Sequence, residues 1–293
     1  MPAAEVDVTS EVVRGLLLEQ FPDLAAMTVE PLAFGWDNAV FRLGSELVVR
    51  LPRRAAGADL VEREQRWLPV LAPELPLPVP APVGLGVPGR GHPWRWSICP
   101  WFPGEVSALV PPEDAWPAAA QLGAFLTALH RPAPTAAPPN PVRGGPLMSR
   151  DAATRERVHV LGHAGQLQAE VVLAAWADAL LIEPWTGPPV WLHGDLHPAN
   201  LLVHEGCLSA VIDFGDLTGG DPATDLSAAW MLFADEVRPS FREAAGYGTD
   251  DACWARARGW ALSLAVAYLA NSGDNPMMAG TGRRTLRAVL ADG

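Results

Sequence analysis

The chain has 293 residues, 49 % of them apolar and 18 % charged, which excludes wholesale disorder and predicts two packed lobes with a cleft between them rather than one core. A net charge of −12 excludes a surface built for nucleic-acid phosphates. Three cysteines without CxxC spacing, an acidic start (MPAAEVDVTSEVV) and no apolar run approaching about 18–20 residues predict a cytoplasmic protein with no disulfide framework, leader or membrane span.

Residues 10–21 follow a Ser10 cap with apolar side chains at helical spacing. Met27–Phe34, Asn38–Leu43 and Leu47–Leu51 are β-like, and Phe34-Gly35-Trp36-Asp37 and Gly44-Ser45-Glu46 punctuate them as a meander. A helix is expected over Ala58–Leu71 and a further strand over Trp94–Cys99. Pro100–Gly104 reads as a stiff connector, so residues 1–103 form the first lobe and 104–293 the second. Beyond it, Trp116–His130 is helical and Pro132–Pro146 is a surface loop with the composition of a mobile one. Residues 151–182 are mostly helical, Val190–Phe214 is a region of short strands and turns, and helices fill 222–234, 237–246, 251–271 and 281–291. The sequence therefore predicts an α+β chain with a small β-rich first lobe and a larger, mainly helical second one.

The chemistry is concentrated in VWLHGDLHPANLLVHEGCLSAVIDFGDLTGGDPATD, residues 190–225. An apolar strand delivers Asp195 to a loop bounded by Gly194 and Pro198. Asn200 stands five positions later, where a second strand begins, and the Glu205-Gly206 turn returns a third strand to Asp213. Antiparallel pairing brings Asp213 back toward the level of Asn200. A carboxylate and an amide oxygen are hard ligands suited to Mg²⁺, which takes few protein ligands alongside nucleotide phosphates. Asp195 is then left to accept a proton from an attacking hydroxyl. A single Asp in a Gly/Pro loop is most often an Asx-turn, but the joint spacing is too specific for turns alone.

His193-Gly194-Asp195-Leu196-His197-Pro198-Ala199-Asn200 and Ile212-Asp213-Phe214-Gly215 resemble the catalytic loop and metal-binding segment of the aminoglycoside phosphotransferase family, whose fold is protein-kinase-like. The resemblance implies a bilobal kinase-like fold, Asp195 as catalytic base, Asn200 and Asp213 as metal ligands, and ATP (or GTP) with Mg²⁺. It also implies that Asp225, in Asp221-Pro222-Ala223-Thr224-Asp225, and His193 support the catalytic loop structurally. In the first lobe the same template makes Phe34–Asn38 the phosphate-covering loop, with Gly35 and Asn38 as contacts and Asp37 closing the turn. Arg50 stands where kinases keep a lysine. The chain has none, its 21 basic residues all being arginine, so phosphate must be gripped by a guanidinium. Glu64 is the expected partner of Arg50. Glu62 lies about 200° around the helix from it, and the apolar neighbours Leu60, Trp67, Leu68 and Leu71 favour Glu64. The carbonyl of Pro100 and the N–H of Phe102 are the expected purine contacts, with Cys99 bordering the pocket or packing.

Two other readings follow from the residues. His193, Asp195 and His197 alternate as a 2-His-1-carboxylate metal set would on an extended strand, though Gly194 and Pro198 favour a loop. A nucleotide-binding pseudoenzyme would account for the missing lysine and the single-glycine loop. The acceptor is read only as a class. The resemblance implies an aminoglycoside-like antibiotic, a macrolide, or a metabolite alcohol such as choline, homoserine or a sugar. Residues 105–293 carry 12 arginines against 21 acidic residues. That excess, including Asp216, Asp235, Glu236, Asp250, Asp251 and Asp274, would either draw a cationic acceptor or serve solubility.

Overall fold

The computed structural model describes residues 3–292, which divide into two compact units. The first comprises the chain up to Pro103 together with Val211–Gly215, and the second comprises Gly104–Ala210 and Asp216 onward.

The first unit opens with helix α1 (Ser10–Gln20). Its cap is Thr9, one residue before the expected Ser10, and the Thr9 hydroxyl accepts the N–H of Val12. Strands β1 (Val29–Phe34), β2 (Asn38–Leu43) and β3 (Leu47–Pro52) form the meander, followed by helix α2 (Ala55–Leu71) and strands β4 (Gly84–Gly86) and β5 (Trp96–Pro100). The sheet is antiparallel in the order β1-β2-β3-β5-β4. Val40 pairs with Arg50, and Arg50 with Ser97. Val13, Leu16 and Leu17 of α1 pack on Phe41, Leu43, Val49, Leu51, Trp96 and Ile98. Full burial of those three helical side chains contributes roughly 5–9 kcal/mol before entropy is charged. On α2, Gln65 donates to the Trp96 carbonyl at 2.8 Å and fixes the helix against the sheet. The expected Trp94 start gives way to Trp96, because Trp94 lies in a loop whose carbonyl is bonded to His92.

The second unit holds β6 (Glu105–Val106), α3 (Ala115–Leu129), α4 (Asp151–His163), α5 (Ala169–Leu180), β7 (Val190–Leu192), β8 (Leu201–His204), β9 (Cys207–Val211, its last residue in the first unit) and β10 (Thr218–Gly220). Helices α6 (Ala223–Leu226), α7 (Ala229–Leu232), α8 (Arg238–Ala244), α9 (Asp251–Asn271) and α10 (Pro276–Ala291) complete it. The expected helix over 222–234 is two single turns. The last helix begins at Pro276 rather than 281, because Asn275 caps it through the Met278 N–H and proline suits the first helical position. Helix α9 is buried on most of its circumference, with Trp260, Ala261, Leu264 and Ala265 in the core. Trp96, Trp176 and Trp260 are fully buried packing residues. Glu205 (φ +49°) and Gly206 (φ +76°) turn β8 into β9 with the two left-handed residues a tight hairpin requires. Among the described residues no helix is long and apolar enough to cross a membrane.

Candidate active site

In the first unit the turn between β1 and β2 is closed from within. The Gly35 N–H donates to the Asn38 carbonyl at 2.8 Å, Arg53 donates to the Gly35 carbonyl at 2.8 Å, and Arg54 binds the Asp37 carboxylate at 2.6 Å. The Gly35 amide is thus spent inside the turn. The side-chain oxygen of Asn38 is buried with no hydrogen-bond partner. Gly57 of α2 lets this turn approach, since a Cβ there would sit 2.8 Å from the Asp37 carbonyl.

Arg50 projects from β3, and its Nη1 lies 2.9 Å from both carboxylate oxygens of Glu64. Its Nη2 reaches Asp213 Oδ1 at 3.5 Å. Burial disfavours the Arg50 charge, but Glu64 and Asp213 outweigh it and hold the guanidinium above its ordinary pKa. Glu62 instead is exposed and pairs with Arg95. Glu64 also accepts the Phe214 N–H at 3.0 Å, which binds the 211–215 segment to α2. Asp213 has φ +62°, a left-handed conformation costing on the order of 1 kcal/mol in an L-residue, and its side chain is 58 % exposed. At the connector, Trp101 donates its N–H to the Glu46 carbonyl at 2.7 Å. Across the trans peptide this turns the Pro100 carbonyl away from β3. Phe102 follows, half-buried. Cys99 is fully buried, and that burial pushes its thiol up to about 12, so it packs as an apolar residue.

In the second unit β7 pairs with β10 and ends at Leu192 opposite Thr218. The loop that follows is gripped by Asp225, whose fully buried carboxylate accepts the N–H groups of His193 at 2.7 Å and Gly194 at 2.8 Å. His130 approaches the same carboxylate at 3.3 Å. Gly194 has φ +87°, and a Cβ there would fall 2.3 Å from the Asp216 carbonyl oxygen. His193 is fully buried, and its Nδ1 accepts the Asp195 N–H at 3.2 Å.

Asp195 itself is surrounded by donors. Arg143 Nη2 lies 2.7 Å and the Tyr268 hydroxyl 3.4 Å from Oδ1, and His197 Nε2 lies 3.3 Å from Oδ2. His197 Nδ1 accepts the Ala199 N–H, so the neutral ring carries its proton on Nε2, toward Asp195. Burial pushes the Asp195 carboxyl up, but Arg143 and then His197 outweigh it and hold it far below the ordinary carboxylate range. Burial beside that carboxylate raises the Tyr268 phenol well above its usual value and keeps it a neutral donor. Asn200 donates through Nδ2 to the Asp195 carbonyl at 2.9 Å, which leaves its amide oxygen uncommitted.

Residues 28–260 match the Phosphotransferase enzyme family. The chain belongs to that family. No curated protein matches it. Among solved structures it resembles aminoglycoside 2'-phosphotransferase-IIIa in complex with GDP, at 20 % identity and a TM-score of 0.67 over 97 % of this chain and 99 % of that one. It resembles macrolide 2'-phosphotransferase MphH from Brachybacterium faecium at 20 % identity and a TM-score of 0.60, over 94 % and 97 %. The streptomycin-ATP-APH(2")-IIa ternary complex matches at 17 % identity and a TM-score of 0.58, over 97 % and 99 %. These likenesses establish the α+β kinase-like fold.

The loop over 132–146 is the expected surface loop, without helix or strand and exposed or half-buried throughout, and it is fastened within the second unit. Asn140 bonds the Asp216 carboxylate at 2.7 Å, Arg143 bonds Asp195, and the Gly144 carbonyl accepts the Asp221 N–H. Arg143 and Tyr268 are site residues that sequence reasoning missed, and Asp216, expected only among the acids that would draw a cationic acceptor or serve solubility, instead bonds Asn140 and lies 3.7 Å from Arg143. The partners of Arg143 lie 52 and 73 residues downstream, and no local pattern announces them. The alternation of His193, Asp195 and His197 does not make a metal set, because the loop spends both histidines on backbone N–H groups. Among the described residues no group of three or more His, Cys, Asp or Glu side chains could hold a metal ion.

Proposed function

We propose that this protein is a small-molecule kinase that transfers the γ-phosphoryl group of ATP, or of GTP, to a hydroxyl of a small acceptor in the cytoplasm. The observation that carries this reading is the buried guanidinium of Arg50, bound at once to Glu64 and to Asp213. It offers a fixed cation beside an exposed carboxylate, the pairing that nucleotide phosphates and their metal require. GDP and ATP in the solved relatives support nucleotide use.

The first unit takes the nucleotide. Arg50, locked by Glu64, grips the α/β side, Gly35 and Asn38 belong to the covering turn, and the Pro100 carbonyl and Phe102 N–H meet the base. Asn200 and Asp213 fit Mg²⁺, since one has an uncommitted amide oxygen and the other an exposed carboxylate. When bound, that ion neutralises charge on the phosphate oxygens. In the second unit Asp195 orients the acceptor hydroxyl. The acceptor oxygen bonds to the γ-phosphorus as the bridge to the β-phosphate breaks, the proton passes to Asp195, and the nucleoside diphosphate leaves. A carboxylate held so far down is a weak base, so the proton moves late in a loose transition state, and positioning supplies most of the acceleration. His193 and Asp225 hold the loop without touching the reacting atoms.

Asp195→Asn keeps the fold and nucleotide binding and lowers turnover about 10²–10⁴-fold. Undiminished ADP release by this variant would remove Asp195 from the base role. A pseudoenzyme would bind ATP and release no ADP with any acceptor.

A further inference from the structure

Asp195 is met by an arginine that phosphoryl transfer does not itself require. Arg143 lies in the loop over 132–146, whose backbone is tied down on both sides of it. Asn140 donates to the Asp216 carboxylate at 2.7 Å. Gly144, at φ +70°, donates its N–H to the Thr224 hydroxyl at 3.2 Å and accepts the Asp221 N–H at 2.9 Å. Gly220 permits that approach, since a Cβ there would fall 2.3 Å from the Gly144 carbonyl oxygen. The place of the guanidinium is therefore fixed by the fold.

Between these ties the guanidinium spans two carboxylates. Its Nη2 meets Asp195 Oδ1 at 2.7 Å, and its Nε faces Asp216 Oδ2 at 3.7 Å, buried and without a hydrogen-bond partner. Only 14 % of the Arg143 side chain is exposed. Burial disfavours its charge, but Asp195 and then Asp216 outweigh that and hold the guanidinium above its ordinary pKa. The other two aspartates of the same stretch are engaged as well. Asp221 pairs with Arg256 at 2.7 Å, and Asp225 accepts the two loop amides.

A carboxylate offers about four lone-pair positions. At Asp195, Oδ1 takes Arg143 and Tyr268 and Oδ2 takes His197, which leaves one position, on Oδ2, for one O–H donor. An ammonium group brings three donors and a full positive charge. Beside a fixed guanidinium it would meet like charge and too few acceptors.

We propose that Arg143 is a specificity-determining residue, standing between Asp195 and Asp216 where an ammonium group of the acceptor would otherwise bind. The acceptor is then a neutral hydroxyl compound, and polycationic aminoglycosides are refused. That Asp195 receives the acceptor hydroxyl rests on the kinase reading; the exclusion of cations does not.

The test uses the full chain with Mg-ADP and kanamycin as the polycation, at about 0.15 M salt so that attraction to the acidic surface is screened. Calorimetry of Arg143→Gln is expected to show kanamycin binding at least about tenfold more tightly than to the parent. Arg143→Lys keeps the positive charge and should bind it no better than the parent does. Adding Asp216→Asn to Arg143→Gln removes one of the two vacated carboxylates and should cancel most of the gain, which ties the gain to this place. Damage to the fold would lower affinity, so it cannot imitate the expected result. Binding of kanamycin tighter than about 1 mM by the parent or the lysine variant overturns the proposal, and this can be read even where the glutamine variant does not fold. A folded glutamine variant that binds kanamycin no better than the parent, or a gain untouched by Asp216→Asn, also overturns it. Nucleotide binding is read separately. A protein that gains kanamycin on Arg143→Gln but binds no ADP or ATP loses the kinase reading and keeps the exclusion, whereas one that binds nucleotide without the gain loses only the role of Arg143.

Discussion

Asp225→Asn changes one oxygen to an amide nitrogen, yet the surroundings of that carboxylate make it a severe substitution. The side chain is fully buried and accepts two backbone N–H groups, from His193 and Gly194, at 2.7 and 2.8 Å. An asparagine can keep its oxygen on one of these and must turn its NH₂ toward the other, so one buried amide loses its acceptor and meets a donor. A charge-assisted bond is lost and a buried donor is orphaned, a cost of about 2–4 kcal/mol. Asp225→Ala orphans both amides and leaves a small void, for about 3–5 kcal/mol. Because these amides flank Asp195, each variant should also lower kcat about 10²-fold through misplacement of the loop, with little change in nucleotide affinity. Urea unfolding at neutral pH, followed by tryptophan fluorescence, measures the first quantity, and steady-state ADP release measures the second. An asparagine variant within 0.5 kcal/mol of the parent would show that the clamp does not hold the loop.

Arg50→Met strands Glu64 as a buried, unpaired acid and should cost about 3–5 kcal/mol. Pairing it with Glu64→Gln should recover much of that, and denaturation midpoints of the single and double variants decide it. The pKa of Asp195 is depressed in the folded chain, so on acidification the unfolded chain takes up this proton first, near its ordinary value of about 3.9. The stabilisation it contributes is complete above that range and is lost as pH falls through it toward the folded pKa. Between pH 6 and 3 the parent should therefore lose stability more steeply than Asp195→Asn, and equal slopes would contradict the assignment. Gly194→Ala forces a methyl group against the Asp216 carbonyl at a left-handed position and should cost about 2–3 kcal/mol, seen as a lowered melting temperature.

The parts legible in the sequence are those with local signals. The turns at Phe34–Asp37 and Gly44–Glu46 delimit the meander because glycine and polar residues interrupt β-branched runs, and the apolar neighbours of Glu64 place it on the buried side of its helix. Strands of two or three residues such as Glu105–Val106, Gly84–Gly86 and Thr218–Gly220 carry no pattern, since distant partners alone define them. The fastening of 132–146 was illegible for the same reason. Proline and glycine there suggested freedom, while Asn140 and Arg143 find partners 52 to 76 residues away. At Asp213 no local signal in the sequence marks the left-handed backbone.

The membership of Val211–Gly215 in the first unit bears on how chimeras of this protein must be built. Exchanging only the chain before Pro103 for a relative's would leave Glu64's replacement facing a foreign Phe214 amide, and Arg50's replacement a foreign Asp213. A transplant of the first unit must therefore travel as two pieces of chain, a long one and a five-residue one.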